Sequence, residues 1–450
     1  MAVAVLIHAF LFLVFWLTNL SFQQAMNTLL SNITRFEVNF LRLFFLFFAV
    51  AVFLWSVVRL VLQKNNRTAG PDWLYNVIGG FFLVFFYGSF VVLFLKVPIQ
   101  PYRLGQFTQY FRIFVDTVIL SLAAWGLRFL LAKLDQRWLK RILIGALLLF
   151  WLVPVFWPPG AVYRRPLPEK PLLIAHRGAS MLAPENTLAS MQVAADLGVY
   201  GLETDVSISN DGVLFLMHDP TLKRTTNVAE VFPGRKNDVA DSFTWNELSQ
   251  LDAGGWFKLR ALYSGEPIPT LTEFLRIVQE NDLAFIYDLR RPSDDHPFAN
   301  SELDMTLAEI KASGAASRTW VLTSPDEIPV LRAALPESVL AKGLNYRNAA
   351  APQELVDAGY QLVNSEYGLS SRMIQAYQKA GLWVNLWTVD EPWQYSRLWL
   401  AGADSVASNN VQTLIAMSRP VMAIAYPVYM ILWGMAGLLA VGIVFLKKTS

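Results

Sequence analysis

The stretch "IAHRGASMLAPENT", residues 174–187, decides how this chain is read. An apolar run ends there in His176-Arg177-Gly178, then passes through Pro184-Glu185-Asn186-Thr187 into a helical pattern. Packing gives a buried strand no reason to end on a histidine and an arginine, because a desolvated polar group costs free energy unless it finds a partner. The C-terminal end of a strand is, however, where a parallel barrel keeps its active site. The reading therefore turns on whether other strands end the same way.

Nine short apolar runs qualify as strands: "LLIAH", "YGLETDV", "VLFLMHD", "LAFIYDL", "TWVLTS", "SVLAKGL", "YQLVNSE", "LWVNLW" and "DSVASN". Stretches such as "TLASMQVAADLG" and "SSRMIQAYQKAG" lie between them, with helical spacing and a closing glycine. The second and third runs are joined only by "SNDG". A parallel crossover needs a dozen or more residues, so the third run is expected as an antiparallel hairpin partner. The other eight form the ring of a (β/α)8 TIM barrel, and residues 164–418 have the usual barrel length of about 250.

Several runs end in chemistry. Glu203 and Asp205 are two apart near the end of the second run, so a strand turns both to one face. His218 ends the hairpin partner, and Asp288 and Arg290 end the next parallel strand. Three carboxylates without a thiolate suit a hard divalent cation, Ca2+ or Mg2+. Arginines grip phosphate bidentately, and two histidines divide the work of base and acid near neutral pH. Together these make a phosphodiester hydrolase. Each piece alone has a plainer reading: a structural histidine, a solvated carboxylate edge, a salt bridge lining the barrel. Jointly, so many polar groups ending adjacent strands are hard to reconcile with packing.

The rest of the chain is different. Charged residues are 16% and hydrophobic ones 54%, against about 25% and about 45–50% in soluble proteins. The excess sits outside the barrel region, in six segments close to the roughly 20 apolar residues that span a bilayer. These are residues 2–20, 41–62, 73–95, 113–132, 142–157 and 420–445. The first lacks a basic leader and a small-residue cleavage site and reads as a retained span. The "PVFWPPG" run at 154–160 ends the fifth, because consecutive prolines break a helix. The expected organisation is an all-α membrane domain of six helices, five within 1–160 and the sixth at 420–446, around a barrel at 164–418. Lys133, Arg137, Lys140 and Arg141 between spans four and five, with Lys447 and Lys448 at the end, place those segments in the cytoplasm. That makes a multi-pass protein of the cell membrane, its barrel extracytoplasmic and both termini inside, although Arg103 and Arg112 weaken the contrast. A net charge of +2 without a basic stripe excludes nucleic acid. The absence of cysteine excludes disulfides and thiolate chemistry. Oligomeric state leaves no mark on the sequence.

The run "AHRGASMLAPENTLASMQVAADLGVYGLETDVSISNDGVLFLMHDPTLKRTTN" resembles the glycerophosphodiester phosphodiesterase family. The likeness continues through "IPTLTEFL" to "VNLWTVDEPWQYSRLWLAGADSVASNN" and covers the barrel but none of the spans. It implies His176 and His218 as the acid/base pair, Glu203 and Asp205 as metal ligands, and Arg177 on phosphate. The family's next strand usually ends Glu-x-Lys; here "DLR" puts Asp288 in the ligand's place and Arg290 in the lysine's. The family's late "TD" is replaced by "SNN" at 408–410, which reads as peripheral. Glu185 and Asn186 are expected to orient the site, an N-cap role explaining Asn186 nearly as well. Trp387 is either a wall of the substrate site or a core residue. Residues 227–266 correspond to the family's insertion, where "GGWF" and "LYSGEPIPT" would offer aromatics to a lipid surface. The implied reaction is metal-dependent cleavage of a glycerophosphodiester to an alcohol and glycerol 3-phosphate. In a chain held at a lipid bilayer, a lysophospholipid or lipid-linked substrate joins the soluble diesters. The competing class is a transporter or sensor with the barrel as its ligand-binding domain. Asp116 and Arg128 in the fourth span bear on it, since ionisable groups in a membrane are usually functional, although both lie near span ends where they can reach the interface.

Overall fold

The computed structural model describes residues 109–445 except 165, 290 and 422, together with residues 5, 9, 50–58, 77–79 and 106. Most of the first three expected spans therefore lies outside the described residues, as do Arg290, Lys447 and Lys448. The chain divides into two compact units, Met1–Leu167 with Val421–Ser450, and Pro168–Pro420.

In the second unit the strands are β1 (Leu172–His176), β2 (Gly201–Ile208), β3 (Leu214–Leu216), β4 (Ala284–Leu289), β5 (Thr319–Leu322), β6 (Val339–Leu344), β7 (Leu362–Glu366), β8 (Trp383–Trp387) and β9 (Ser405–Ser408). All except β3 run parallel in one ring, which closes where β1 pairs with both β2 and β9. The third run is antiparallel on β2, as the short "SNDG" connection requires. Around the ring lie α1 (Leu188–Asp196), α2 (Leu271–Glu280), α3 (Glu302–Ser313), α4 (Ile328–Ala334), α5 (Pro352–Asp357), α6 (Ser371–Lys379), α7 (Pro392–Ala401) and α8 (Val411–Ile415). This is a (β/α)8 barrel.

Alternation along each strand sorts the interior. Ile174, Ala284, Ile286, Trp320, Ala341, Leu362 and Ala407 meet inside as an apolar layer. Tyr200, Trp320 and Trp383 pack together at the N-terminal end, Tyr200 stacking on Trp383. Further along the strands, the same inward parity brings His176, Asp288, Glu366 and Trp387 to the other end, where they line one cavity. The ring buries apolar surface at its base and leaves polar groups at its mouth.

A second core holds the hairpin. Phe215 and Met217 pack with Leu222, Val228, Phe243, Leu248 and Ile268 from the segment between β3 and α2. His218 directly follows this anchored stretch. Its position is thus set by burial of the residues just before it against that segment.

In the first unit three helices among the described residues are long and apolar enough to cross a membrane. They run Arg112–Lys133, Arg137–Phe156 and Tyr426–Phe445. The fifth expected span starts five residues earlier than read, on the basic turn at Arg137, and passes through Pro154 before stopping ahead of Pro158-Pro159. One proline in the last turn removes a single bond; two in succession end the helix. The last helix begins only at Tyr426, because Ile424 and Ala425 pair as a short strand with Val162 and Tyr163. Trp151 and Trp433 exchange indole N–H bonds to each other's carbonyls at 3.1 and 2.9 Å. Asp116 accepts from Arg112 Nε at 3.1 Å, one turn away.

Candidate active site

Strand register builds the acidic cluster. Glu203 lies opposite His176, and Asp205 opposite Asp288. Each of Glu203, Asp205 and Asp288 offers a carboxylate oxygen, all within 4.8 Å of one another. Glu203 and Asp205 are buried. Burial first, then the charges of Asp205 and Asp288, push the Glu203 carboxyl well above its usual range against the pull of Arg177. Such a set can hold a divalent cation: the donors are all hard oxygens, and a cation would relieve their mutual repulsion.

The His-Arg-Gly turn wraps one side of this cluster. Arg177 takes a left-handed φ of 58° and Gly178 one of 80°. A Cβ on Gly178 would stand 2.7 Å from the Ser190 carbonyl carbon, so only glycine lets α1 approach this closely. The Arg177 amide donates to the Glu203 carbonyl at 2.9 Å and to Glu203 Oε2 at 3.1 Å. Its guanidinium donates to Glu185 at 2.9 Å and lies 3.3 Å from Asp205. Much of that group is therefore engaged within the site.

Asn186 also has a left-handed φ, 55°. The N-cap of α1 is Thr187, whose hydroxyl oxygen accepts from the Ser190 amide at 3.3 Å. Asn186 instead accepts from Thr204 at 2.7 Å and reaches Asp205 Oδ2 at 3.4 Å. The N-cap alternative for Asn186 is thus set aside, because the helix begins one residue later.

The two histidines face one cavity together with Asp288, Glu366 and Trp387. His176 Nδ1 is 2.9 Å from Asn409 Oδ1, and its Nε2 is 3.8 Å from Glu203 Oε2. Burial, helped by Arg177, lowers its pKa, with the Asn409 bond, Asp205 and Asp390 opposing. His218 Nδ1 is 2.7 Å from Asp219 Oδ1. Arg224 donates to Asp219 at 2.5 and 2.9 Å and to Glu185 at 2.8 and 2.6 Å. The Arg224 bonds hold Asp219 down at about 2 despite burial. Burial works to raise Glu185, yet Arg224 and Arg177 bring it below its usual value. Glu185 thereby joins the turn at Arg177 to the arm carrying His218. Trp387 lines the cavity and packs on the barrel's inner apolar layer.

One reading is corrected. The "SNN" at 408–410 is not peripheral: Ser408 pairs with Ala175, so the next residue, Asn409, falls beside His176 and bonds it. Sequence reasoning also passed over Asp390, Asp219 and Arg224. Asp219 and Arg224 stand within the "HDPTLKR" run and were within reach of a local reading. Asp390 was not, because it acts across two strand ends.

Fold and site define a class: a closed parallel barrel with three carboxylates and two imidazoles at its C-terminal mouth. The Glycerophosphoryl diester phosphodiesterase family matches residues 176–413, and the chain belongs to this family. A Glycerophosphodiester phosphodiesterase of Caldanaerobacter subterraneus is 30% identical over 253 residues, 56% of this chain and 98% of that protein. The Glycerophosphoinositol inositolphosphodiesterase GDPD2 of Mus musculus is 35% identical over 70% of this chain and 61% of its own length. The Glycerophosphodiester phosphodiesterase domain-containing protein 5 of Gallus gallus is 33% identical over 69% of this chain and 54% of its own. The chain thus spans little more than half the length of these two animal relatives.

Proposed function

We propose that this chain hydrolyses glycerophosphodiesters to an alcohol and glycerol 3-phosphate. The observation that carries the reading is the convergence of Glu203, Asp205 and Asp288 with His176 and His218 on one cavity. The three carboxylates would hold Ca2+ or Mg2+, which when bound neutralises charge on the phosphoryl oxygens. Arg177, and Arg290 beyond the described residues, would bind the phosphate. His176, kept neutral by burial and Arg177, accepts the proton of the glycerol 2-hydroxyl as that oxygen attacks phosphorus. His218 protonates the departing alcohol oxygen as its bond to phosphorus breaks. Water then opens the cyclic phosphate, the two histidines exchanging roles. Glu185 and Asn186 hold Arg177 and Asp205 in place, and Trp387 walls the substrate site.

The six-span reading completes the proposal: a multi-pass protein of the cell membrane, with an extracytoplasmic barrel that reaches lysophospholipids as well as soluble diesters. The transporter or sensor alternative gains nothing from Asp116, which is paired with Arg112. Assaying the purified chain against a panel of glycerophosphodiesters and lysophospholipids, with and without chelator, tests the activity. No turnover of any diester with Ca2+ or Mg2+ present would sink it. For topology, an impermeant thiol reagent on intact cells should label Ser264→Cys and spare Gln136→Cys. The reverse pattern would put catalysis on the cytoplasmic side.

A further inference from the structure

We propose that Asp390 and Asn409 form a two-residue relay that sets the tautomer of His176. This rests on the reading of His176 as a proton-transfer group. The structure provides the links in order. Asn409 Nδ2 donates to Asp390 Oδ2 at 2.9 Å, and the Asn409 amide donates to Asp390 Oδ1 at 2.8 Å. Asp390 is itself tied down, its carbonyl accepting from Asn410 Nδ2 at 2.8 Å. On the other side, Asn409 Oδ1 faces His176 Nδ1 at 2.9 Å and the Ser180 hydroxyl at 2.8 Å.

A side-chain amide is nearly symmetric in shape, so its partners decide which end is oxygen. An ionised carboxylate accepts only. Asp390 therefore draws the NH2 of Asn409 toward itself and turns Oδ1 toward the imidazole. An oxygen acceptor at Nδ1 requires Nδ1–H there, and the neutral ring then keeps its lone pair on Nε2. That nitrogen is the one facing the acidic cluster, 3.8 Å from Glu203. Asp390 thus controls His176 without touching it. A carboxylate in direct contact would do the same work but add a charge to an already crowded acidic mouth. The amide passes on direction without passing on charge. Both are positioning residues.

The pattern of donors and acceptors, more than the identity of either residue, is what the relay needs. Exchanging the two, Asp390→Asn with Asn409→Asp, keeps an amide donating to a carboxylate and a carboxylate oxygen accepting from Nδ1–H. Asn409→Asp alone sets two carboxylates face to face, and Asn409→Leu fills the space with no acceptor. The test uses the full-length protein in detergent or nanodiscs, with glycerophosphocholine as substrate. Asn409→Leu should lower kcat about 10- to 100-fold, the order of magnitude seen when a partner orienting a metal-bound imidazole is removed, with KM changed less than about threefold. The exchanged double variant should recover most of that loss, and each single variant should not. Nitrogen NMR on 15N-histidine-labelled protein gives a readout independent of turnover, and the chain has only 4 histidines to resolve. His176 should show the Nδ1–H form in the native protein and a mixture in Asn409→Leu. Unchanged kcat together with an unchanged tautomer in Asn409→Leu overturns the relay, as does failure of the exchange to restore either. A native protein that turns over no diester, yet shows the tautomer change, would sink the functional reading and leave the relay standing.

Discussion

The two histidines of the mouth are supported in opposite ways. His176 ends a strand of the ring, and its partner Asn409 lies 233 residues further along the chain. Its surroundings exist only once β9 has closed against β1. His218 bonds the very next residue, and Asp219 in turn bonds Arg224 five residues on. Its support is local, a charged arm fixed to the ring through Glu185 and to the insertion through Phe215 and Met217. The first histidine faces a neutral amide and the second a carboxylate. One barrel mouth can thus hold two like groups in unlike settings by drawing one partner from closure of the fold and the other from a turn.

The acidic cluster opens on the same cavity as both histidines, so its loss should have the largest effect. Chelation should abolish turnover, and adding Ca2+ or Mg2+ should restore it; full activity in excess chelator would end the metal reading. Asp288→Asn replaces one anionic ligand by a neutral amide and should weaken cation affinity, read as a higher concentration of cation for half-maximal rate. The next effect probes the arms themselves. His176→Ala and His218→Ala should each cost roughly 10²- to 10⁴-fold in kcat, the range for lost proton transfer. Comparable losses would show that unlike supports yield like contributions. If one variant kept near-native kcat, that arm would be structural.

This contrast also explains what was legible in the sequence. The nine strands were readable because each is a short apolar run with turn residues at its ends, and the "SNDG" connection fixed the one antiparallel member. Glu203, Asp205 and Asp288 were readable because period-two alternation aims them to one face. Asn409 was misread because its meaning depends on which strand lies beside β1, a fact of ring closure that no local pattern carries. Asn186 was ambiguous for a similar reason: a cap and a site residue look alike until the helix start is located at Thr187. Local chemistry could be read directly, whereas partners brought together by closure could not.

The smallest expected effect separates the charged arm from the neutral one. Arg224 is the only described link between Asp219 and Glu185, and its guanidinium also stands 6.0 Å from the Trp256 ring. Arg224→Met keeps most of the side-chain length and removes the charge. It should lower kcat by about tenfold or less, because His218 retains Asp219 as its immediate partner. The clearer signature lies in acid. The Asp219 carboxyl sits at about 2 in the folded protein, against an ordinary value of 3.8. A group depressed on folding adds stability that is present above its unfolded value and is lost as pH falls through its folded one. In the native protein this contribution should therefore fade between about pH 4 and pH 2. Without Arg224 the fall should still begin at about pH 4 but be complete at a higher pH than in the native protein, and the difference between the two proteins should vanish at the acid end. Thermal unfolding followed by tryptophan fluorescence from pH 6 down to pH 2 would show it. Parallel curves across that whole range would mean that Asp219 owes its low value to something other than Arg224.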